Sequence, residues 1–273
     1  MPTVATRAGT LVYDELGEGP PLVLLASAAH DRHDWDGIRP ALAEKHRTIA
    51  FDWPGHGDSP IADGIEASAP LFAALLEDVL DELDLGPVVL MGNSIGGFAA
   101  ARLAIECPAA VRALVLVDAG GFAGRSVAVR WFCWFMGHPA VIRRIYPSFA
   151  HRYMRARTDE DRRIEASATA IATSEIGSRV TAGVWRSFSS AAHDLRRRGR
   201  AIVAPTLVVW GRRDPVIPLR VGRRIAATIP DAEMVELEAG HVPYATDPAG
   251  FLAAVEPFLA QVRERASATA APE

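Results

Sequence analysis

The stretch Val88–Gly97 carries the strongest chemical signal in this chain, because it places a serine, Ser94, between two glycines in the pattern Gly92-x-Ser94-x-Gly96. The apolar run that precedes the pattern predicts a buried strand, and residues 98–105 predict a helix. A serine on such a tight strand–turn–helix connection is held out on a strained backbone, with a helix N terminus behind it that favours negative charge. These features predict a nucleophile for acyl transfer.

A serine hydroxyl becomes a strong nucleophile only when a base removes its proton, and a carboxylate then orients that base. Two residues in the second half of the chain match these roles. Asp214 follows a predicted strand at 206–210, and His241 follows another at 234–237. Loops at the carboxyl ends of parallel strands converge on one edge of a sheet, so these side chains can meet Ser94. We therefore predict a catalytic triad, in the chain order Ser94, Asp214, His241.

The elements that must position these residues alternate between strands and helices. Further strands are predicted at residues 11–17, 22–25, 48–52 and 114–118, and helices at residues 40–44, 68–84 and 249–263. Strands separated by helix-length segments predict parallel pairing through right-handed crossovers, which is an α/β fold. Asp118 ends one of these strands and would be the replacement acid if Asp214 did not serve.

Strand patterns disappear between Gly120 and Arg200, where helical patterns rich in aromatic residues take their place. The predicted domains are a core of residues 1–120 and 201–265, a helical cap of residues 121–200 and a flexible tail of residues 266–273. Residues 125–200 hold fifteen arginines against six acidic residues. A solvated helical surface explains this excess most simply. The alternative is that one or two of these arginines face the pocket and attract an anionic substrate.

Composition limits the function further. The chain has 273 residues, 49% of them hydrophobic, and a net charge of −4, which gives no general attraction to nucleic acid or membranes. The two cysteines are too few for a disulfide framework and lie in apolar helical contexts that favour packing. No zinc motif occurs, so we expect neither a metal nor a cofactor. The first residues contain no signal-peptide core, which predicts a cytoplasmic protein, and the arginine- and alanine-rich composition favours a bacterial source.

Four motifs, in this order, resemble those of the cap-bearing serine hydrolases in the α/β-hydrolase superfamily. They are Asp52–Ser59, Gly92–Gly97, Gly211–Asp214 and the pair Gly240-His241. The resemblance covers nearly the whole chain. It implies a twisted, mostly parallel eight-stranded sheet with helices on both faces, and an active site between this core and a cap.

The resemblance also implies an oxyanion hole, and here the chain departs from the family. Its members usually carry a His-Gly pair after the strand at 22–25, where this chain has Ala26-Ser27. The backbone N–H groups that match the family pattern belong to Ala28 and Ile95. The hydroxyl of the serine at 27 could contribute to the hole or simply cap a turn. His30 and His33 lie in the same loop, and we interpret both as loop-surface residues rather than metal ligands.

The type of residue at position 94 narrows the reaction. A serine there disfavours the alkyl-enzyme chemistry of haloalkane dehalogenases and epoxide hydrolases, so hydrolysis of a small-molecule ester, lactone or thioester is the first prediction. Hydrolysis of carbon–carbon bonds in ring-fission products is the alternative, because the Gly-Asn-Ser-x-Gly-Gly form resembles those enzymes. Residues 242–244, directly after His241, lack the tryptophan that those enzymes usually carry there, and their Gly-rich oxyanion segment is missing too, so this reaction ranks second. A ligand-binding protein with little turnover is a third reading. The expected partner is a small-molecule substrate, with no nucleic acid or membrane, and a homodimer is left open.

Overall fold

Eight strands form a single sheet in the computed structural model of the protein, which describes residues 1–270. They are, in chain order, β1 (Thr3–Thr6), β2 (Gly9–Leu16), β3 (Pro21–Leu25), β4 (Arg47–Phe51), β5 (Val88–Asn93), β6 (Val111–Val117), β7 (Thr206–Gly211) and β8 (Glu233–Leu237). Their order across the sheet is β1-β2-β4-β3-β5-β6-β7-β8. The pairings β1–β2 and β2–β4 are antiparallel, and the other pairings between described strands are parallel. The predicted eight-stranded, mostly parallel sheet is therefore confirmed.

Helices cover both faces of this sheet. They are α1 (Arg39–Ala43), α2 (Ala69–Glu82), α3 (Ile95–Glu106), α4 (Val127–Met136), α5 (Pro139–Met154), α6 (Asp159–Thr173), α7 (Glu175–Ser187), α8 (Leu219–Thr228), α9 (Pro243–Thr246) and α10 (Pro248–Ala270). Alternate residues of β3 show the two faces. Val23 and Leu25 pack into the core beneath α2, α3 and α8, whereas Leu22 and Leu24 pack into the core beneath α10. Helices on both faces bury every apolar residue of a central parallel strand.

Local sequence explains α2. Ser68 accepts a hydrogen bond from the Leu71 N–H group at 3.3 Å and so caps the first turn. Leu75, Leu76 and Val79 then repeat at the spacing of one helical face, and all three are fully buried. The helix predicted at 68–84 lies at residues 69–82 of the structure.

The structure contains elements that were not predicted from the sequence. They are β1, which is only four residues long, and the helices α8 and α9. The helix predicted at 249–263 continues to Ala270, so the predicted tail is helical over its first five residues. The rest of that predicted tail, residues 271–273, lies outside the described residues. No helix in the described part of the chain is both long and apolar enough to cross a membrane.

Four helices, α4 to α7, connect β6 to β7 and fall within residues 121–200, the predicted cap. We call them the helical insert (residues 127–187). Helix α5 packs against α6 and α7, and α4 packs against α7. Aromatic side chains of the insert pack together at its centre, where the Trp185 ring meets Phe132 and Phe149 edge to face. The insert thus has an apolar core of its own, continuous with the core beneath α10.

Candidate active site

Ser94 occupies the turn between β5 and α3, with φ at +52° and ψ at −109°. This left-handed backbone is strained for a residue with a side chain. A Cβ atom on Gly92 would lie 2.5 Å from the backbone of Gly96, and one on Gly96 would lie 2.4 Å from the Leu25 carbonyl oxygen. Both glycines are therefore required for strands and helix to approach so closely. The Ser94 N–H group donates to the Val117 carbonyl at 3.0 Å, which helps to hold the turn.

Asp214 and His241 meet at the carboxyl ends of β7 and β8. The Nδ1 atom of His241 lies 2.7 Å from Oδ2 of Asp214, and both side chains are almost fully buried. The other carboxylate oxygen accepts the N–H groups of Val216 at 2.7 Å and Ile217 at 3.1 Å, which fixes its orientation. With Nδ1 held by the carboxylate, Nε2 remains to exchange a proton with a reacting group.

Two hydrogen bonds to the backbone of His241 hold its loop in place. The His241 N–H group donates to the carbonyl of Tyr153, the penultimate residue of α5, at 3.2 Å. The His241 carbonyl accepts a hydrogen bond from Nδ2 of Asn93 at 2.9 Å. The same amide also donates to the Val117 carbonyl at 3.1 Å. Asn93, directly before Ser94, thus ties the serine turn to β6 and to the histidine loop, a role that the sequence analysis did not assign.

A cavity of about 400 Å³ brings these elements together. Ser94 and His241 both line it, and most of the facing wall comes from aromatic side chains of the helical insert, namely Phe132, Tyr146, Phe149, Tyr153 and Trp185. A mostly apolar pocket with a few polar groups at one end is typical of a small-molecule site. The predicted nucleophile and base therefore share one pocket.

The predicted oxyanion donors lie beside this serine. Ala28 and Ile95 both line the cavity. Ile95 is the first residue of α3, so its N–H group has no partner within the helix. The loop after β3 lacks the glycine that is usual in the family, but it still turns. The His30 N–H group donates to the Ser27 carbonyl at 3.3 Å, and Ala29 takes a left-handed φ of +63°. The side chain of Ser27 is buried and lines the cavity.

Asp118 forms a second carboxyl group behind the Asp–His pair. It is fully buried at the end of β6, and its Oδ1 atom accepts the Gly211 N–H group at 3.0 Å. One ligand atom each from Asp118, Asp214 and His241 lie within 4.8 Å of one another. Burial, followed by the neighbouring carboxylate of Asp214, raises the pKa of Asp118 well above its ordinary value. A protonated Asp118 leaves one negative charge on the carboxyl pair and presents an O–H donor to it.

This cluster also has the donor types of a small metal site. The Nδ1 atom of His241 and the Oδ2 atom of Asp214 are 2.7 Å apart, which is the distance of a direct hydrogen bond. Two of the three groups are therefore bonded to each other. The absence of a metal stays a prediction.

The Asp118→Asn variant is expected to gain stability over the native protein as the pH rises. The raised pKa means that the folded protein holds this proton more tightly than the unfolded chain. Its stabilising effect is present below the ordinary pKa of 3.8 and is lost as the pH rises toward the folded-state value. Asparagine carries no such proton, and each tenfold difference in proton affinity between the folded and unfolded states corresponds to about 1.4 kcal/mol. Thermal unfolding of both proteins from acid to neutral pH measures the gap, and a gap that does not widen would contradict this account.

His30 corrects one expectation. It is buried rather than on the loop surface, with Nδ1 hydrogen-bonded to the buried Asp34 and Nε2 2.7 Å from the hydroxyl of Tyr153. That hydroxyl lies 2.9 Å from the hydroxyl of Tyr146, so the chain of polar groups ends in the cavity wall. Burial raises the pKa of both tyrosines, which keeps them as neutral donors. His33 is exposed and pairs with Asp36, as expected of a surface residue.

Two further side chains of the wall bear on the chemistry. Burial raises the pKa of the Cys133 thiol to about 11, so this cysteine is neutral and packs, as predicted. Arg125 lines the cavity although it is an exposed residue, and the same is true of Arg220 in α8. Of the fifteen arginines at 125–200, therefore, Arg125 lies in the cavity wall.

Known proteins resemble this chain over most of its length. A pimeloyl-[acyl-carrier protein] methyl ester esterase from Aeromonas hydrophila is 30% identical over 262 residues, which cover 90% of this chain and 98% of the relative. A 2-hydroxy-6-oxononadienedioate/2-hydroxy-6-oxononatrienedioate hydrolase from Cupriavidus pinatubonensis is 30% identical over 217 residues, 72% of this chain and 70% of the relative.

Solved structures agree with these relatives on the fold. The crystal structure of a hydrolase from Pseudomonas aeruginosa PA01 superposes with a TM-score of 0.80 at 26% identity, covering 94% of this chain and 97% of that one. The family model for the alpha/beta hydrolase fold matches residues 20–248, from just before β3 to the first residue of α10. The match extends over more than half of the sequence, and this chain belongs to the α/β-hydrolase fold family.

Proposed function

We propose that this protein is a serine hydrolase that cleaves a small-molecule ester, lactone or thioester through an acyl-enzyme. One observation carries the proposal. His241, which is hydrogen-bonded to Asp214, lines the same cavity as Ser94, and Ser94 lies on a strained turn at a helix N terminus. The proposed nucleophile, the proposed base and the acid that orients this base thus lie on three separate loops, and they are the three groups that the reaction requires.

In the proposed reaction, the Oγ atom of Ser94 attacks the substrate carbonyl carbon while its proton passes to Nε2 of His241. Asp214 stabilises the imidazolium ion that results. The N–H groups of Ala28 and Ile95 donate to the oxygen that becomes negative. The tetrahedral intermediate collapses, the bond to the alcohol or thiol breaks, and the leaving group takes the proton from His241. Water, activated by the same histidine, then releases the acid and restores the serine.

The esterase from Aeromonas hydrophila supports ester hydrolysis, because its similarity to this chain extends over almost the whole length of both proteins. The second candidate is hydrolysis of a carbon–carbon bond in a ring-fission product. The relative from Cupriavidus pinatubonensis favours it, as does the Gly-Asn-Ser-x-Gly-Gly form of the serine turn.

A panel of substrates distinguishes these readings. Short p-nitrophenyl esters, lactones, thioesters and a ring-fission diene would be assayed in parallel, with Ser94→Ala as the blank for each. A stoichiometric burst followed by turnover of an ester or lactone supports the proposal. Turnover of the diene alone would replace it with the second candidate. A burst without turnover would instead fit a ligand-binding protein.

We further propose that residues 121–200 act as a cap over the serine, and that the cavity volume limits the acyl group. Short or cyclic acyl groups are expected to give a higher kcat/KM than long chains, because a cavity of about 400 Å³ accommodates only a small ligand. A series of neutral esters of increasing acyl length measures this. A steady rise in kcat/KM with chain length would contradict the proposal that the cavity volume limits the acyl group.

Arg125 is the residue of this cap that we expect to distinguish anionic from neutral substrates. An ester with a remote carboxylate should be preferred several-fold over its neutral match at low salt, and screening at high salt should reduce the preference. Arg125→Ala should remove it. Arg179→Ala is the matched control, because Arg179 is an exposed arginine of the same proposed cap (residues 121–200) that does not line the cavity. Equal preference in the native protein and the Arg125 variant would leave Arg125 as plain surface.

A further inference from the structure

Helix α4 exposes an apolar stripe. Val127, Trp131 and Trp134 lie at positions i, i+4 and i+7, on one face of the helix, and are 83%, 62% and 59% exposed. The opposite side of α4 is buried at Cys133 and Met136. Half of the large exposed apolar side chains in the described part of the chain belong to this one helix. Trp131 stacks on Phe135 within the helix, so its indole covers the helix surface rather than the protein core.

Positive charge lies beside this stripe. No acidic residue occurs between Asp118 and Asp159, a segment that contains α4 and α5. Seven exposed arginines lie in the segment, and three of them are close to the stripe along the chain: Arg130 in α4, and Arg143 and Arg144 in the first turns of α5. Among the described residues, none of these seven forms a salt bridge, whereas Arg162 and Arg163 of the next helix are both paired with carboxylates. The net charge of −4 therefore conceals a basic segment of the chain.

We propose that α4, together with Arg130, Arg143 and Arg144, forms a docking surface for an anionic lipid bilayer. Tryptophan is favoured at the boundary of headgroups and acyl chains, and arginines beside it attract anionic headgroups. Arg130 lies three residues after Val127 and four before Trp134, so this charge shares the face of the stripe. This inference runs against the sequence-based expectation of no membrane partner, which rested on the net charge.

A second copy of the chain fits this surface less well. A twofold interface places the same patch on both partners, so Arg130, Arg143 and Arg144 would face the same three arginines of the second copy, and the segment that carries them contains no carboxylate to pair with them. Anionic headgroups supply the missing negative charge. The inference does not depend on the proposed hydrolase chemistry, because its surface is separate from Ser94 and His241.

The docked bilayer would lie across α4 from the candidate active site. Val129, Phe132 and Cys133 of α4 line the cavity, whereas Val127, Trp131 and Trp134 do not. Substitutions on the exposed stripe are therefore expected to leave hydrolysis of a water-soluble ester unchanged.

Sedimentation with vesicles tests the docking surface. The native protein is expected to pellet with vesicles of phosphatidylcholine and phosphatidylglycerol, but not with phosphatidylcholine alone, and high salt should release it. The double variant Trp131→Ser/Trp134→Ser should lower the partition coefficient about tenfold or more. Each arginine neutralised, as in Arg130→Ser or Arg144→Ser, should lower it about fivefold. Val203→Ser is the matched control, because Val203 is 76% exposed but lies outside this surface.

Three results would overturn the proposal. They are equal pelleting with neutral and anionic vesicles, no pelleting with either, and unchanged pelleting of the double tryptophan variant. Analytical ultracentrifugation adds a further arm, since a dimer that the tryptophan variant abolishes would assign the stripe to a second copy. Unchanged melting temperatures and soluble-ester rates in all variants would establish that they remain folded.

Discussion

Replacement of Ser94 by alanine is expected to lower kcat/KM for a short acyl ester by a factor of ~10³ or more. The reason is that the variant keeps the pocket and the oxyanion donors but has no oxygen to form the acyl-enzyme. The fold should be unaffected, because the strained turn is held by backbone hydrogen bonds, including that from residue 94 to the Val117 carbonyl. Steady-state kinetics with a p-nitrophenyl ester, together with circular dichroism, measure both outcomes.

A serine-directed fluorophosphonate adds a chemical test of the same position. Peptide mapping should find the label on Ser94. Ser27 is the matched alternative, because it is the other serine of the cavity wall. Label on Ser27, or full activity of Ser94→Ala, would remove the proposed nucleophile. Adding His241→Ala to Ser94→Ala should cost little more than the single change, since base and nucleophile act as a unit.

Asp214→Ala is expected to lower kcat/KM by ~10³ or more, whereas Asp118→Asn should stay within about threefold of the native protein. Only the first carboxylate contacts the histidine ring, at 2.7 Å. Asp118 is expected to be protonated, and asparagine reproduces that form by accepting the Gly211 N–H group and donating toward the carboxylate of Asp214. Kinetics as a function of pH measure both variants.

The pH profile separates two roles for the second carboxyl group. If Asp118 is neutral, its replacement by asparagine leaves the acid limb of kcat/KM in place. If Asp118 is ionised, its replacement removes a negative charge beside the Asp–His pair, and Asp118→Asn would then shift that limb. Near-normal activity of Asp214→Ala would mean that Asp118 supplies the acid, and the double variant Asp214→Ala/Asp118→Asn would then lose the activity that remained.

Local sequence accounts for the parts of the site that were predicted. The strand, the serine turn and the start of α3 lie within one short stretch, Val88–Gly97, so the pattern of glycines and apolar residues is sufficient to predict them. Asp214 and His241 were found because parallel strands bring their carboxyl ends to one edge of the sheet, a rule that needs only chain order.

Long-range contacts account for what was missed. His30 was expected on the surface because its partner Tyr153 lies 123 residues away, on a helix whose position no local pattern reveals. Asp118 was predicted only as a replacement acid. Its contact with the Gly211 N–H group depends on how β6 and β7 align, across 93 residues of sequence. Asn93 is a similar case, since its amide spans 148 residues to the histidine loop.

The hydrogen bond from the His241 N–H group to the Tyr153 carbonyl restricts how a substrate enters. A Cβ atom on Gly240 would lie 2.2 Å from that same carbonyl, so the end of α5 sits directly on the histidine loop. A hinge motion that lifted α5 would pull on this loop and disturb the Asp–His pair. We therefore expect the end of α5 and the His241 loop to move together or to lose their hydrogen bond when α5 moves. Arg125 and Arg220 line the cavity and are exposed, so a substrate that entered beside their side chains would leave α5, and with it the Asp–His pair, in place.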